Sequence, residues 1–288
     1  MEDSSLHGSR VAVIGTGVMA EAILAGLLDR GLVEADAVTC SHPREERRRE
    51  LEEQHGVHAV AGNAEAAARG DVVLLAVKPQ MLGTVMPELR PVMRPDQLVI
   101  SIAAGAGTHA LAEGLGHAAL VRAMPNTPAQ IGQGVTVWFA TPSVEATGRA
   151  QTRIMLSALG REFEVHDERQ VAMATAVSGT GPTYIFLFIE ALTDAAVHLG
   201  FPRHVARELV LDTMQGSAAF ALASGKHVAE LRDMVTSPGG TSAAAMYELE
   251  RGRLRTVVSD AVWAAFERTL GIEAALEGRP PGPSARPR

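Results

Sequence analysis

Up to Val165 the chain is punctuated by short β-branched runs: VAVIG, AVTCS, HAV, DVVLLAV, QLVISIA, AALVRAM, GVTVWFA and REFEV. Ala- and Leu-rich amphipathic stretches alternate with them, and that alternation predicts a parallel sheet with helices on both faces. Past Asp167 the β signal stops. From there to Gly271 the pattern is helical, interrupted at SGTGP, LGFPR, ASGKH, TSPGG and ERGR, each a Gly, Pro or Ser break between apolar-periodic segments. The expected organisation is therefore an α/β domain over residues 1–165 and an all-α domain over 166–272. Residues 273–288, which include EGRPPGPSARPR, are expected to form a disordered tail, because Pro, Gly and Arg at that density cannot fill a core. The chain has 288 residues and is 47% hydrophobic, enough for two cores. One predicted helix, Tyr184 to Leu199, opens with YIFLFIEAL, is apolar on nearly every side, and is expected to be enclosed by protein all round.

Charge and cysteine content narrow the classes of partner. A net charge of -7 offers no basic field for a phosphate backbone, so nucleic acid is not an expected partner. The arginines of HPREERRRE alternate with glutamates on what reads as one solvated helix face. The single cysteine, Cys40, excludes an internal disulfide and fits a reducing, cytoplasmic setting. The start MEDSSLHGSR carries acids where a signal peptide carries bases, and no apolar run approaches the roughly 20 residues of a membrane span, so no membrane association is expected. His55 and His58 flank a glycine turn without a nearby Cys or paired acid and read as surface residues, leaving no metal site.

The most informative local pattern is G-x-G-x-x-A at Gly15, Gly17 and Ala20, with Thr16, Val18 and Met19 between, directly after a strand and at the opening of a helix. Gly15 permits a tight turn, Gly17 lets a pyrophosphate approach the backbone, and Ala20 lets the helix pack close to the strand. The free N–H groups of the helix start then face the phosphates, so the first domain reads as a Rossmann-type dinucleotide binder. NAD binders place an acid at the end of the second strand for the ribose 2′-hydroxyl. Here that end reads TCSHPREER, without an acid, and Ser41, His42 and Arg44 offer donors to a 2′-phosphate. NADPH is the expected preference, with NADH possible; Arg44 also fits an exposed residue in a first helical turn. After the fourth predicted strand come Ala76, Val77, Lys78 and Pro79, where Lys78 can reach a phosphate or ribose or stand as a plain surface lysine. After the fifth come the small residues of SIAAGAG, Ser101 to Gly107, which suit a flat ring lying on the backbone. Far along the chain, TSPGGTS places Pro238 and two glycines before the hydroxyls of Thr241 and Ser242; taken locally this fits an anion-binding helix start or an ordinary capped one equally.

The segments VIGTGVMAEAI, LAVKPQ, SIAAG, VRAMPNTPAQIGQGVT, SGTGPTYIFLFIEALTDAA, LGFPR and LRDMVTSPGGTSAA follow one another in the order found in pyrroline-5-carboxylate reductases. The chain resembles that family from about Val11 to about Leu270. The stretches Met124 to Pro128 and Ser237 to Gly240 are far more specific than the glycine fingerprint. The resemblance implies transfer of hydride from the nicotinamide of NAD(P)H to the C=N carbon of Δ1-pyrroline-5-carboxylate, giving L-proline. It implies a carboxylate cradle at Ser237, Gly239 and Gly240, with Thr241 and Ser242 touching the substrate carboxylate and ring nitrogen. Ser242 stands where the family commonly has a second threonine, so its hydroxyl can still donate while positioning loosens. Glu168 falls on an acidic position near the substrate site in relatives, and equally fits an exposed acid in the first turn of a helix. For the cofactor the matching positions are Gly15 to Ala20, His42, Asn63 at the adenosine ribose, Ala76 to Pro79, and Ala103, Ala104 and Gly105. Thr180 replaces a serine in the SGTGP turn, and Val228 replaces a proline after His227. Asn126 either stabilises its own turn or touches cofactor. The helical half is expected to dimerise, with a decamer built from interlocked dimers. Other reductases of the same plan should carry a lysine base in the helical half, where the sequence has only Lys226, in a loop. An F420-dependent reductase would share the first domain alone, and a non-catalytic dinucleotide sensor would need no carboxylate cradle.

Overall fold

In a computed structural model of the chain, Leu6 and residues 8–280 are described, and all eight predicted runs form strands of one sheet. They are β1 (Val11–Ile14), β2 (Val38–Ser41), β3 (His58–Val60), β4 (Val72–Leu75), β5 (Leu98–Ser101), β6 (Leu120–Met124), β7 (Gly134–Ala140) and β8 (Gly160–Glu164). The order across the sheet is β3-β2-β1-β4-β5-β6-β7-β8. Its first six strands are parallel, and β7 runs antiparallel to β6, so the expected all-parallel sheet needs correcting at that one pairing. Too few residues separate Met124 from Gly134 for a crossover, which takes a dozen or more, and the chain turns back instead.

Between the strands lie α1 (Val18–Asp29), α2 (Glu45–His55), α3 (Asn63–Arg69), α4 (Leu82–Leu89), α5 (Thr108–Leu115) and α6 (Ala146–Ser157). Both sheet faces are covered, as the strand sequences require. Val11 and Val13 pack into one apolar layer with Ile23, Leu24 and Leu27, and Ala12 and Ile14 into the other with Leu82, Val85 and Leu111. After β8 come α7 (Arg169–Ala174), a single π-helical turn at Thr175–Gly179, then α8 (Gly181–His198), α9 (Arg203–Ser224), α10 (Val228–Met234), α11 (Thr241–Arg251) and α12 (Leu254–Leu276). The segment expected to be a tail from residue 273 therefore begins inside α12, which continues to Leu276; residues 281–288 lie outside the described residues.

By contacts the chain divides into two compact units, one running to Thr180 and taking up again from Ala265, the other Gly181–Ala264. The first thus extends past the expected boundary at residue 165. Within it Asn126 joins three segments: its Nδ2 donates to Ser178 O at 3.1 Å and its Oδ1 accepts from Val135 N at 2.8 Å. Gly179 packs so closely that a Cβ would stand 2.7 Å from Met124 Cε, which explains a glycine in the SGTGP turn.

The second unit has little interior of its own. In α8 only Thr193 is buried, and in α9 only Ala206 and Val210, while Phe186 and Leu187 are 63% and 64% exposed. The expectation that YIFLFIEAL is enclosed by protein is not met within one chain. The helical stretch Arg169–His198 is moreover long and apolar enough to cross a membrane, with a mean hydropathy of 1.3 in a window only 11% buried. That corrects the expectation that no apolar run reaches such a length.

Candidate functional site

A cavity of about 560 Å³ opens at the carboxyl ends of β1, β2 and β4, where the strand order reverses between β1 and β4. Gly15, Gly17, Ser41, His42, Asn63, Ala76, Val77 and Lys78 line it, all of them expected cofactor residues. The two glycines are needed for different reasons. Gly15 has φ +84°, and a Cβ there would meet Val77 Cγ1 at 2.6 Å, so it is fixed by backbone and packing. Gly17 has ordinary dihedrals, φ -85° and ψ -177°, and nothing lies within 4 Å of where its Cβ would stand. It leads into α1, whose first turn has no side-chain cap, so the N–H groups of the helix start are free to bind an anion beside that open space. An open cradle at Gly17 with uncapped donors fits a dinucleotide pyrophosphate. Val18, first in the helix, is 66% exposed, Met19 is partly buried, and Ala20 is buried at 1%, which suits close packing of helix on strand.

The residues at the end of β2 divide their roles. Ser41 is fully buried; its hydroxyl accepts from Gly15 N at 3.3 Å and donates to Asn63 Oδ1 at 2.8 Å, while its carbonyl accepts from Thr16 N. In this structure the hydroxyl holds the glycine turn at the wall of the cavity. His42 Nδ1 accepts from Arg44 N at 3.2 Å, which leaves the ring proton on Nε2. Burial holds the imidazole below its ordinary pKa, against the Arg44 backbone hydrogen bond, with Arg44, Arg47 and Arg48 adding repulsion. Arg47 pairs with Glu21 and Glu50, and one nitrogen of Arg48 is bound by the carbonyls of His42 and Pro43. Arg44, at the start of α2, has no carboxylate partner among the described residues and lines a shallower recess with Glu45, Glu46 and Arg49. His55, expected at the surface, is half-buried with Nε2 3.2 Å from Glu21, while His58 is exposed.

The remaining expected cofactor residues do not line this cavity. Pro79 starts a short 3-10 turn beside Lys78. Ala103 is buried, and Gly105, at φ +73°, is so close to α12 that a Cβ would stand 2.5 Å from Ile272 Cγ2. Lining residues that the sequence did not single out include Met81, Thr84, Val85 and Glu88; Glu88 Oε2 accepts from Asn63 Nδ2 at 2.8 Å.

Glu168 is occupied. Its carboxylate accepts from Thr108 N at 2.7 Å and Thr108 Oγ1 at 2.6 Å, satisfying the start of α5, and pairs with Arg122 at 3.2 Å. Arg122, 3% exposed, also pairs with Glu273 of α12. The carboxylate expected near substrate is thus bound within a part-buried ionic cluster around the buried Arg122.

In the second unit Ser237 to Gly240 form a tight turn in which Gly240 N donates to Ser237 O at 3.0 Å, with Pro238 and then Gly239, at φ +72°, in its centre. α11 begins immediately afterwards at Thr241. No side chain caps it, so its first N–H groups and the hydroxyls of Thr241 and Ser242 are available together. Among the described residues no group of three or more His, Cys, Asp or Glu side chains could hold a metal ion.

Comparison with known proteins matches residues 168–272 to a family model described as pyrroline-5-carboxylate reductase dimerisation, and residues 10–105 to one described as NADP oxidoreductase coenzyme F420-dependent. A pyrroline-5-carboxylate reductase of Pseudomonas aeruginosa is 41% identical over 93% of this chain and 98% of its own. That of Escherichia coli K12 is 36% identical over 90% and 97%. Among solved structures, a pyrroline-5-carboxylate reductase from Coxiella burnetii superposes with a TM-score of 0.84 at 37% identity, covering 92% of this chain and 98% of its own. The Plasmodium falciparum pyrroline carboxylate reductase with NADP bound has the same TM-score at 29% identity, with the same coverage.

Proposed function

The chain belongs to the pyrroline-5-carboxylate reductase family, and from that premise we propose how its own residues reduce Δ1-pyrroline-5-carboxylate to L-proline with NADPH in preference to NADH. The observation that carries the substrate side is the uncapped start of α11 beside the Ser237–Gly240 turn. The nicotinamide, when bound, supplies the hydride, so the protein has to orient two rings and hold one carboxylate. The N–H groups of Thr241 and Ser242 and their hydroxyls take the carboxylate, the positive end of an eleven-residue helix stabilising it. Gly239 and Gly240 keep side chains out of that approach, and Ser237 closes the turn. Ser242 orients the ring nitrogen, which arrives already protonated from solution, so no strong acid is required there.

On the cofactor side, the α1 start takes the pyrophosphate, Lys78 and the backbone of Ala76 to Pro79 line its path, and Asn63 lies at the adenosine. Ala103, Ala104 and Gly105 belong to the ring-bearing end of the same sheet edge. The neutral His42, with its Nε2 proton, and Arg44 favour a 2′-phosphate. Glu168 acts through position, securing the start of α5. The exposed apolar surfaces of α8 and α9 supply a homodimer interface, from which a decamer is built, and the enzyme works in the cytoplasm.

The test is the initial rate of NADPH oxidation with racemic pyrroline-5-carboxylate, repeated with NADH and with the six-membered imine. Rapid oxidation yielding L-proline, faster with NADPH, is expected. Absence of turnover with intact NADPH binding refutes the substrate reading. Light scattering that shows a stable monomer at micromolar concentration refutes the assembly.

A further inference from the structure

Four polar groups, one from the loop after β1 and one each from β2, α3 and α4, form a hydrogen-bond line at the cofactor cavity. Gly15 N donates to Ser41 Oγ at 3.3 Å, Ser41 Oγ donates to Asn63 Oδ1 at 2.8 Å, and Asn63 Nδ2 donates to Glu88 Oε2 at 2.8 Å. The direction of the line is fixed chemically. The ionised Glu88 carboxylate can only accept, so Asn63 turns its nitrogen to Glu88 and its oxygen to Ser41, whose hydroxyl lies 2.8 Å from that oxygen and 3.5 Å from the alternative acceptor, Val13 O. Asn63 is thereby engaged at both ends of its amide. The Glu88 carboxylate also lines the cavity, and its Oε1 has no hydrogen-bond partner among the described residues.

We propose that Glu88, on α4, is a cofactor-selectivity residue: its carboxylate accepts hydrogen bonds from the adenosine ribose hydroxyls and opposes a 2′-phosphate, countering His42, which lines the same cavity, and the neighbouring Arg44, whose backbone N–H binds the His42 ring. The end of β2 has no acid to do this, and α4 supplies one from across the cleft, aimed by Asn63. A carboxylate accepting from a ribose hydroxyl is a charge-assisted bond, and the same charge repels a phosphate dianion in a partly enclosed site. The chain then tolerates NADH while still taking NADPH, because two opposed charges set the ratio. The inference rests on the dinucleotide reading of the cleft and is independent of the imine substrate.

Glu88→Gln tests it cleanly, because the glutamine oxygen still accepts from Asn63 and only the charge goes. Glu88 lies exposed on its helix, so the fold should be retained. Dissociation constants for NADPH, NADH and 2′,5′-ADP are measured by calorimetric titration on the full-length protein, beside its melting temperature. The substitution is expected to tighten NADPH and 2′,5′-ADP and to weaken NADH, raising the ratio Kd(NADH)/Kd(NADPH) by about tenfold. Glu88→Lys should raise it further. A ratio that moves less than twofold in both variants, or equal weakening of the two dinucleotides, overturns the proposal. Binding of neither dinucleotide by the unaltered protein would overturn the cleft itself and this inference with it. Normal binding without imine turnover would leave the inference standing and remove only the substrate assignment.

Discussion

Replacing the two fingerprint glycines separately by alanine should produce opposite kinds of damage. At Gly17 the backbone, φ -85° and ψ -177°, suits any L-residue, and a Cβ meets nothing within 4 Å. Folding should be untouched or favoured by about 0.4–1 kcal/mol, since alanine restricts the unfolded chain. The methyl group, however, stands in the open cradle before α1. Displacing a pyrophosphate from one or two amide donors removes about 1.5–3 kcal/mol for each charged hydrogen bond. The expected loss is thus about a hundredfold in NADPH affinity. At Gly15 the φ of +84° costs an alanine about 1–2 kcal/mol, and a 2.6 Å approach to Val77 Cγ1 adds about 1–3 kcal/mol of overpacking. Gly15→Ala should therefore lower the melting temperature by about 5–15 °C. Fluorescence titration with NADPH and thermal unfolding of both variants distinguish the two roles. A stable Gly17→Ala protein that binds NADPH like the parent would show that the pyrophosphate does not approach there, and an unshifted melting temperature for Gly15→Ala would refute the strain argument.

Ser242→Ala should lower kcat/KM for the imine by about tenfold without abolishing turnover, because the iminium needs orientation more than protonation; complete loss of activity in a folded variant contradicts this. Arg122→Met removes the partner shared by Glu168 and Glu273, leaving Glu168 only its Thr108 hydrogen bonds, and should cost about 1–3 kcal/mol of stability, read as a fall in denaturant midpoint, whereas Glu168→Gln should lower stability and leave the KM for the imine nearly unchanged. A large KM change in Glu168→Gln would restore that residue to the substrate site. Burial pushes the Cys40 thiol up to about 11, so a thiol reagent at pH 8.5 should label it only after denaturation. The unfolded thiol ionises first, so that contribution to stability is present below pH 9 and is lost as the pH rises towards 11. His42 has the opposite sign in pH. Its native pKa is held below 6.5 by burial, so the unfolded state binds more protons just under that pH and stability falls as the pH drops through 6.5. A 2′-phosphate beside the ring favours the protonated form, so NADPH binding near pH 6 should take up a fraction of a proton and NADH binding should not; calorimetry in two buffers of different ionisation enthalpy measures it.

What the sequence makes legible is what local backbone physics dictates. The strands announce themselves because a doubly covered sheet needs continuous apolar runs, and the Gly15 turn because only glycine tolerates its φ beside Val77. The reversal of β7 could also be read, since the interval from Met124 to Gly134 leaves no room for a crossover. The α8 surface is a different case: an apolar helix reads as enclosed, and its sequence cannot say that the described residues of one chain leave Phe186 and Leu187 exposed.

The polar residues of the sites obey no such local rule. Ser41 has the donor group expected of a phosphate ligand, but its place at the inward end of β2 commits the hydroxyl to the Gly15 amide and to Asn63. Glu168 has the charge expected near substrate, but Thr108 and Arg122, sixty and forty-six residues away in sequence, already occupy it. Glu88 has no motif at all, and acquires meaning only because α4 places it against Asn63, twenty-five residues earlier. In each case the local sequence fixes which atoms are chemically able to act, while long-range packing decides which of those atoms still have a free lone pair or proton. On the proposed reading of this cavity, selectivity depends on the partners of Ser41 and Asn63 as much as on the residues that would touch the dinucleotide. Substitutions in this family that keep the glycine fingerprint but alter the hydrogen-bond line from Gly15 to Glu88 should change which dinucleotide is preferred before they change whether one is bound.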